Sequence, residues 1–455
     1  MMTAEEKREL YLKPYNDNKE VIDKRIEEGI ETYRKGYCRI RFTDEKGNPV
    51  KGKKVKVNQI GHEFKYGANI FMLDEFEKEE HNAEYRRMFK EYFNLATVPF
   101  YWKDLEPEDG KPRYDKNSPK IYRRPAPDLC MDYCEQNGVA PKLHCLVYNS
   151  WTPEWAKALS TSELKKRYEK RFWEIADRYS GRMYEFEVIN ETLIQGISNP
   201  LCEERDIVEW AFDLARKYFP NEKLVINEAD PFPCIGRNTP SSVSPYFDRY
   251  FLQLESLLLK GVSIDKIGVQ NHMFVGVSAH TDEEYESSVR GHAFAADPIN
   301  IYRGMDAIAS LGLPMENTEM TLPTFGDTEE DEELQADLLK LMYSVWFSHP
   351  AMETVVYWNT VDGYAHTGNP NWIENNCRGG LFHNDLTPKK SALMLKKLFS
   401  EIWHTDGEFV TDDDGYIEFR GFYGDYKATV ETDGKLSENK FSVLPKQNNK
   451  KDFII

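Results

Sequence analysis

Two glutamates stand directly after short runs that close on polar residues: Glu191 after Phe186-Glu187-Val188-Ile189-Asn190, and Glu319 after Met315-Glu316-Asn317-Thr318. Cleaving a glycosidic bond with retention needs two carboxyl groups about 5–5.5 Å apart, one beside the leaving oxygen and one beneath the anomeric carbon. Carboxylates at the tips of two different strands supply such a pair if both tips face one opening. Taken singly, either glutamate reads as a strand-end cap or as the partner of a surface lysine. By themselves the two residues favour the pair only weakly.

The elements that must position them repeat along the chain. Eight short apolar runs, at residues 66–72, 93–99, 142–148, 184–190, 223–228, 266–271, 314–320 and 353–359, each precede a helical pattern. Strands buried on both faces read as continuous apolar runs. Strand followed by helix, repeated over this length, predicts an α/β fold with a parallel sheet closed into a (β/α)8 TIM barrel. Several runs end in polar or ionisable residues: Tyr148-Asn149, Asn190-Glu191, Asn227-Glu228, Gln270-Asn271-His272, Thr318-Glu319 and Trp358-Asn359. Barrel active sites gather at the C-terminal ends of the strands, so these residues are expected around one mouth, with Glu191 on strand four and Glu319 on strand seven.

Flanking segments read differently. Residues 18–36 place Ile22, Ile26, Ile30 and Tyr33 at helical spacing and stop at Gly36, an amphipathic helix expected to strap onto the body of the protein. Residues 37–59 alternate through Cys38, Ile40, Phe42, Val55 and Val57 around Glu45-Lys46-Gly47-Asn48-Pro49, which predicts a hairpin. A β-rich stretch with Tyr416, Phe419, Phe422, Tyr426 and Val430, broken by glycines, closes the chain, and 445–455 is expected to fray. The expected units are 1–59, a helix and hairpin; 60–404, the barrel; and 405–455, which completes a small accessory β-module with the first.

With 455 residues, 40% of them hydrophobic and 13% aromatic, the chain can bury a large core and a small module. A formal net charge of -18 excludes a polyanionic partner, because nucleic-acid binders need a basic face, and it argues equally against an anionic membrane; a neutral sugar is acceptable. The charged N-terminus lacks the apolar run of a secretory signal, and no transmembrane span is visible. Seven scattered cysteines suit reduced thiols, so a cytoplasmic location is expected, with secretion the alternative if a signal has been trimmed. Cys130 and Cys134, four apart, read as one face of a helix. No further Cys or His pair completes a zinc set, so neither a metal nor another cofactor is expected.

Residues 60–400 resemble glycoside hydrolase family 10, the family of the endo-β-1,4-xylanases. The likeness is carried by Val188-Ile189-Asn190-Glu191, by Thr318-Glu319, by Gly268-Val269-Gln270-Asn271-His272, by Lys142-Leu143-His144-Cys145-Leu146-Val147-Tyr148, by Leu224-Val225-Ile226-Asn227 and by Trp358-Asn359-Thr360-Val361-Asp362, in the family's order. The resemblance implies that Glu191 is the acid/base, kept protonated by the charge of its partner, and that Glu319 is the nucleophile. It further implies that Asn190 bonds the sugar 2-hydroxyl, that Gln270 and His272 orient Glu319, that His144 holds a sugar hydroxyl and that Trp358 stacks beneath the ring. Trp102, Lys103, Tyr148, Asn149 and His366 are further candidate substrate contacts.

The sequence also departs from that family. Typical members carry Glu-Asn-Glu-x-Lys-Trp on strand two, gripping the sugar one unit beyond the cleaved one on the glycone side. Here Thr97-Val98-Pro99-Phe100-Tyr101-Trp102 keeps the tryptophan and loses the polar grip. His366 replaces a second tryptophan after strand eight, which makes room for a larger substituent. Thr321 stands where an acidic residue usually follows the nucleophile. Asp327-Thr328-Glu329-Glu330-Asp331-Glu332-Glu333 reads as a solvated helix start. The expected activity is retaining cleavage of β-1,4-xylosidic bonds in xylan or xylo-oligosaccharides. Two alternatives are a retaining β-glycosidase for a hexose-containing or decorated oligosaccharide, and a non-hydrolytic carbohydrate-binding relative.

Overall fold

The computed structural model describes residues 2–194, 196–229, 248–432 and 434–455. Its centre is a closed parallel barrel whose strands run β3 (Lys65–Asn69), β4 (Leu95–Pro99), β5 (Ala140–His144), β6 (Val147–Tyr148), β7 (Glu185–Asn190), β8 (Leu224–Glu228), β9 (Lys266–His272), β10 (Met315–Thr321) and β11 (Met352–Tyr357). Neighbours follow chain order, and β11 closes onto β3. Each of the eight apolar runs overlaps a barrel strand; the third is split into β5 and β6, both of which pair with β7. Every residue of β4, β7, β8 and β10 is buried, which is why these segments read as unbroken runs.

Helices fill the crossovers: α3 (Glu79–Tyr92), α5 (Pro127–Asn137), α6 (Thr161–Tyr179), α7 (Ile207–Tyr218), α8 (Arg249–Leu259), α9 (Asp282–His292), α10 (Pro298–Ala309), α11 (Glu329–Ser348) and α12 (Lys390–Lys397), with α4 (Trp102–Leu105) a single turn after β4. Local signals set their ends. Ser160 and Glu163 form a reciprocal capping box on α6, and Gly138 takes the left-handed φ of 66° that terminates α5. Cys130 and Cys134 both lie buried on α5. The acidic run does start a helix, but Asp331 is not solvated: it is buried against Lys7, 2.9 Å away.

One feature of the barrel interior departs from an apolar core. Lys142, Glu185, Glu187, Lys266 and Glu316 point inward from β5, β7, β9 and β10 and are fully buried. Lys142 bonds Glu316 and lies 3.4 Å from Glu185 and 3.7 Å from Glu187, while Lys266 lies 2.8 Å from Glu185. Buried ions persist only when paired in this way.

The chain ends differ from expectation in three respects. A helix not anticipated from sequence, α1 (Ala4–Asp17), precedes α2 (Lys19–Tyr33). It buries little beyond Lys7 and Tyr11, so its apolar periodicity is faint, and it is held instead by a Thr3–Glu6 capping box and by the Tyr11 hydroxyl on the Val289 carbonyl at 2.8 Å. The segments expected to form a hairpin, β1 (Lys35–Thr43) and β2 (Lys54–His62), do not pair with each other. They lie in different sheets, β1 between β13 (Tyr416–Phe422) and β16 (Lys450–Ile454), β2 between β12 (Asp406–Val410) and β14 (Gly424–Thr432), with β15 (Lys435–Val443) beyond. Finally, residues 450–454 do not fray: β16 runs parallel to β1 from Arg39 to Thr43. The two sheets share a core of Cys38, Ile40, Phe42, Val55, Val57, Phe419, Tyr426, Val430 and Phe441, the alternating residues of each strand.

Candidate active site

The two glutamates reach the mouth because their strands change register just before them. On β7 the pairing with β8 slips between Glu187 and Ile189, and on β10 the pairing with β9 slips between Asn317 and Glu319. An irregularity of this kind re-aims the side chains that follow. Glu191 then leaves its strand with φ +53°, a backbone conformation that non-glycine residues adopt rarely and that clusters at functional sites.

A single amide ties the pair together. Nε2 of Gln270, on β9, donates to Oε1 of Glu191 at 2.9 Å and to Oε1 of Glu319 at 3.1 Å. These two oxygens are therefore at most about 6 Å apart, short of the roughly 6.5–9.5 Å that an inverting pair needs to seat a water. The Tyr148 hydroxyl donates to the other oxygen of Glu191 at 2.5 Å. Asn227 Nδ2 donates to Glu319 at 3.2 Å and to Oδ1 of Asn190 at 2.9 Å, and its own Oδ1 accepts from the Thr318 hydroxyl at 2.6 Å.

Electrostatics divide the histidines. Burial pushes the Glu319 carboxyl well above its ordinary range, an effect that Glu191 adds to and the charge of His144 opposes. A buried carboxyl group resists ionisation, so burial favours the protonated form of Glu319 in the sugar-free protein. Burial alone would depress His144, yet the Glu187 carboxylate beside it, 2.8 Å from Nδ1, raises it overall. At His272 burial wins: it pushes the ring down to about 4 against the opposing charges of Glu374 and Glu191, and its Nδ1 meets the uncharged hydroxyl of Thr321 at 2.9 Å while Nε2 lies 3.3 Å from Glu319.

The structure gathers Glu191, Glu319, Asn190, Gln270, His272, His144, Tyr148 and Trp358 at this opening. Trp358 is 5.3 Å from Phe71 and 5.4 Å from His144 between ring centres. Both ring nitrogens of His144 already have protein partners, Glu187 and the Tyr101 hydroxyl at 3.0 Å, so a sugar hydroxyl would reach it only by displacing Tyr101. Other candidates lie elsewhere. Trp102 packs against Trp155 and Tyr168 and donates to Glu106 at 2.8 Å, inside the core. Lys103 is half-exposed, 4.0 Å from Glu154. Asn149 accepts from the Ser198 amide at 3.1 Å and so fastens the segment after Glu191. His366 stands at the rim, its ring 5.7 Å from Trp151.

Sequence reasoning set Asn227 at the mouth without assigning it a role, and missed Tyr101 and Glu187 as site residues. Asn227 closes an apolar run and Glu187 interrupts one, so both carried a readable signal; Tyr101 carried none, since its neighbour Trp102 drew attention by type. Among the described residues, the one cluster of three metal-ligating types is His144, Cys145 and Glu187, and it does not suit an ion. The nitrogens of His144 are engaged, and burial pushes the Cys145 thiol up, away from the thiolate that binds metal.

A closed parallel barrel with a buried, amide-bridged glutamate pair at its C-terminal mouth defines a protein built around a two-carboxyl site. The chain belongs to glycosyl hydrolase family 10, whose family model matches residues 62–397. It is 25% identical to an anti-sigma-I factor, RsgI6, of Acetivibrio thermocellus, covering 90% of this chain and 47% of that one. It is likewise 25% identical to endo-1,4-beta-xylanase 2 of Arabidopsis thaliana, covering 91% and 34%. The chain thus spans half or less of the length of these relatives. The xylanase 10B structure of Thermotoga maritima superposes with a TM-score of 0.55 at 18% identity, covering 75% of this chain and 96% of that one, and so shares the fold.

Proposed function

We propose that this protein cleaves β-1,4-xylosidic bonds in xylan or xylo-oligosaccharides with retention, Glu191 acting as acid/base and Glu319 as nucleophile. The observation that carries the reading is the shared Gln270 amide, which keeps the two carboxyl groups too near each other for inversion. Glu319 would attack the anomeric carbon as Glu191 protonates the leaving oxygen; water then releases the sugar with Glu191 as base. Positive charge developing on the sugar favours ionisation of Glu319 at the moment its carboxylate is needed. Asn190, held by Asn227, stands ready for the 2-hydroxyl. The xylanase names among the relatives support the substrate class.

Proton NMR of the earliest product is expected to show the β-anomer. Early α-product would refute the pairing. Glu319→Gln is expected to abolish turnover, and Glu191→Ala to slow substrates with poor leaving groups by about 10²–10⁴-fold. Product release from Glu319→Gln equal to that of the parent would remove it as nucleophile, and no release from either protein would favour the non-hydrolytic reading.

One observation favours a different glycone. Val98, Pro99 and Phe100 are buried at the tip of β4, so no polar side chain there meets a sugar. Aryl β-xylobioside and aryl β-cellobioside separate the two readings: preference for the hexose retires the xylosidic one.

A further inference from the structure

Three of the loops around the mouth are fastened to one another. In the barrel, β3 lies between β4 and β11, so the segments that follow β4 and β11 must cross the end of β3 to meet. They do meet. The Tyr122 hydroxyl donates to the Ala365 carbonyl at 3.3 Å, Arg123 Nη2 donates to Oδ1 of Asn359 at 3.1 Å, and Arg123 Nη1 bonds the Tyr364 carbonyl. Arg123 is buried and holds a left-handed φ of 60°, a costly conformation for a side chain of this size that these bonds sustain. The segment after β6 joins the same bridge through Trp151 on His366.

The space beneath this bridge is filled. The Arg124 guanidinium lies 4.0 Å from the ring centre of Tyr101, 4.7 Å from Trp151 and 5.2 Å from Phe71, and Asp104 fixes its Nε at 2.8 Å. Pyranose rings bind by laying an apolar face on an aromatic one. Here the aromatic faces of Tyr101 and Trp151 carry a cation instead, and the contact is stabilised by the ring quadrupoles and by burial. Tyr101 follows β4, the strand on which the resemblance sets the grip for the sugar beyond the cleaved one, and the ring of Trp151 lies 4.7 Å from that of Tyr101.

We infer that the glycone end of the cleft is closed by the Arg123–Arg124 segment against Trp151 and residues 359–366, so that the protein engages the non-reducing terminus of its substrate and shortens it from that end. This rests on the proposed glycosidic function and deepens it: the substrate class is narrowed to free non-reducing ends.

The test uses a pentasaccharide, xylopentaose or cellopentaose, whichever the aryl glycosides select, with a bulky fluorophore on either its reducing or its non-reducing end. Fluorescence polarisation with Glu319→Gln is expected to show binding at least about tenfold weaker for the non-reducing-end tag. On active protein, the reducing-end-tagged sugar should shorten stepwise. Equal affinities, or tagged fragments of every length at the earliest time, would overturn the closure. The expected asymmetry without any cleavage would uphold closure and retire hydrolysis alone. Trp151→Ala, at a partly exposed position, and Arg124→Ala are each expected to narrow the difference between the tags; an undiminished tenfold gap in both folded variants would show that this wall does not set it.

Discussion

At the mouth, two residues adjust the surroundings of the proposed catalytic pair. Thr321 gives the Nδ1 of His272 a hydroxyl partner, which contributes no charge to offset burial, and the ring is held down at about 4. Thr321→Asp would set an anion there and favour the imidazolium. An NMR titration of His272 is expected to show its pKa moving up toward neutrality; an unmoved titration would show that burial alone governs it. Glu228, at the tip of β8, accepts from the Leu193 amide at 3.0 Å and the Thr192 hydroxyl at 3.3 Å, and so anchors the turn that follows Glu191. Burial pushes it up to about 7 from its ordinary 4.5, with the Glu191 charge adding to the rise. A carboxyl raised in the folded state contributes stability that is complete below its unfolded value and is lost as pH climbs through the folded one. Urea denaturation is therefore expected to show stability falling between pH 4.5 and about 7, and Glu228→Gln to flatten that fall. The same slope in both proteins would exclude Glu228 as its source.

At the scale of strands, alternation places ions where a barrel normally keeps aliphatic side chains. On β7, Phe186 faces outward to Phe219, 4.4 Å between ring centres, while Glu185 and Glu187 face Lys142 and Lys266 inside. The lysines outweigh burial at Glu185 and hold it low, whereas burial and the Glu185 charge push Glu316 up against the pull of Lys142 and Lys266. Lys142→Met strands carboxylates in the interior and is expected to cost about 3–5 kcal/mol in urea denaturation, part of which Glu316→Gln in the same chain should restore. A single-variant loss below about 1 kcal/mol would mean that water or proton uptake already neutralises the cluster. This layer also reaches the mouth, because Glu187 holds His144 and His144 holds Tyr101.

At the scale of the molecule, the chain ends clasp the barrel. Arg34, at the close of α2, is buried, and its Nη2 donates to the carbonyls of His349 and Met352, both at 2.6 Å, joining the strap to β11. The final strand β16 covers the edge of β1 and sets Phe453 and Ile455 against the sandwich core. Removing residues 445–455 bares that edge and the rings of Phe42 and Phe441 that Phe453 covers, and is expected to destabilise the sandwich by about 2–3 kcal/mol, seen as faster proteolysis of residues 35–43. Unchanged proteolysis would show that the tail contributes nothing to the fold. Six of the seven cysteines, all but Cys234, which lies outside the described residues, are free thiols, so no disulfide among the described residues assists this closure. Among the described residues no helix is long and apolar enough to cross a membrane.

The eight strands were legible because double burial writes itself as uninterrupted apolar runs, and the strand tips because polar residues break those runs at the mouth. Glu191, Glu319, Asn190, Gln270 and His272 could thus be placed around one opening from sequence alone. Pairing between distant segments left no comparable mark. Whether β1 faces β2 or β13 depends on which sheet edge lies nearby, since alternation is the same either way. Tyr101 turned toward His144 and Trp151 at the mouth and Trp102 toward Trp155 and Tyr168 because a single helical turn after β4 rotates the chain, a change of direction that residue types do not encode. Likewise Arg124 is an ordinary loop arginine until three loops converge on it. Local burial determined the elements and the carboxylates; only the meeting of loops in space decided which aromatic faces stay open to a sugar.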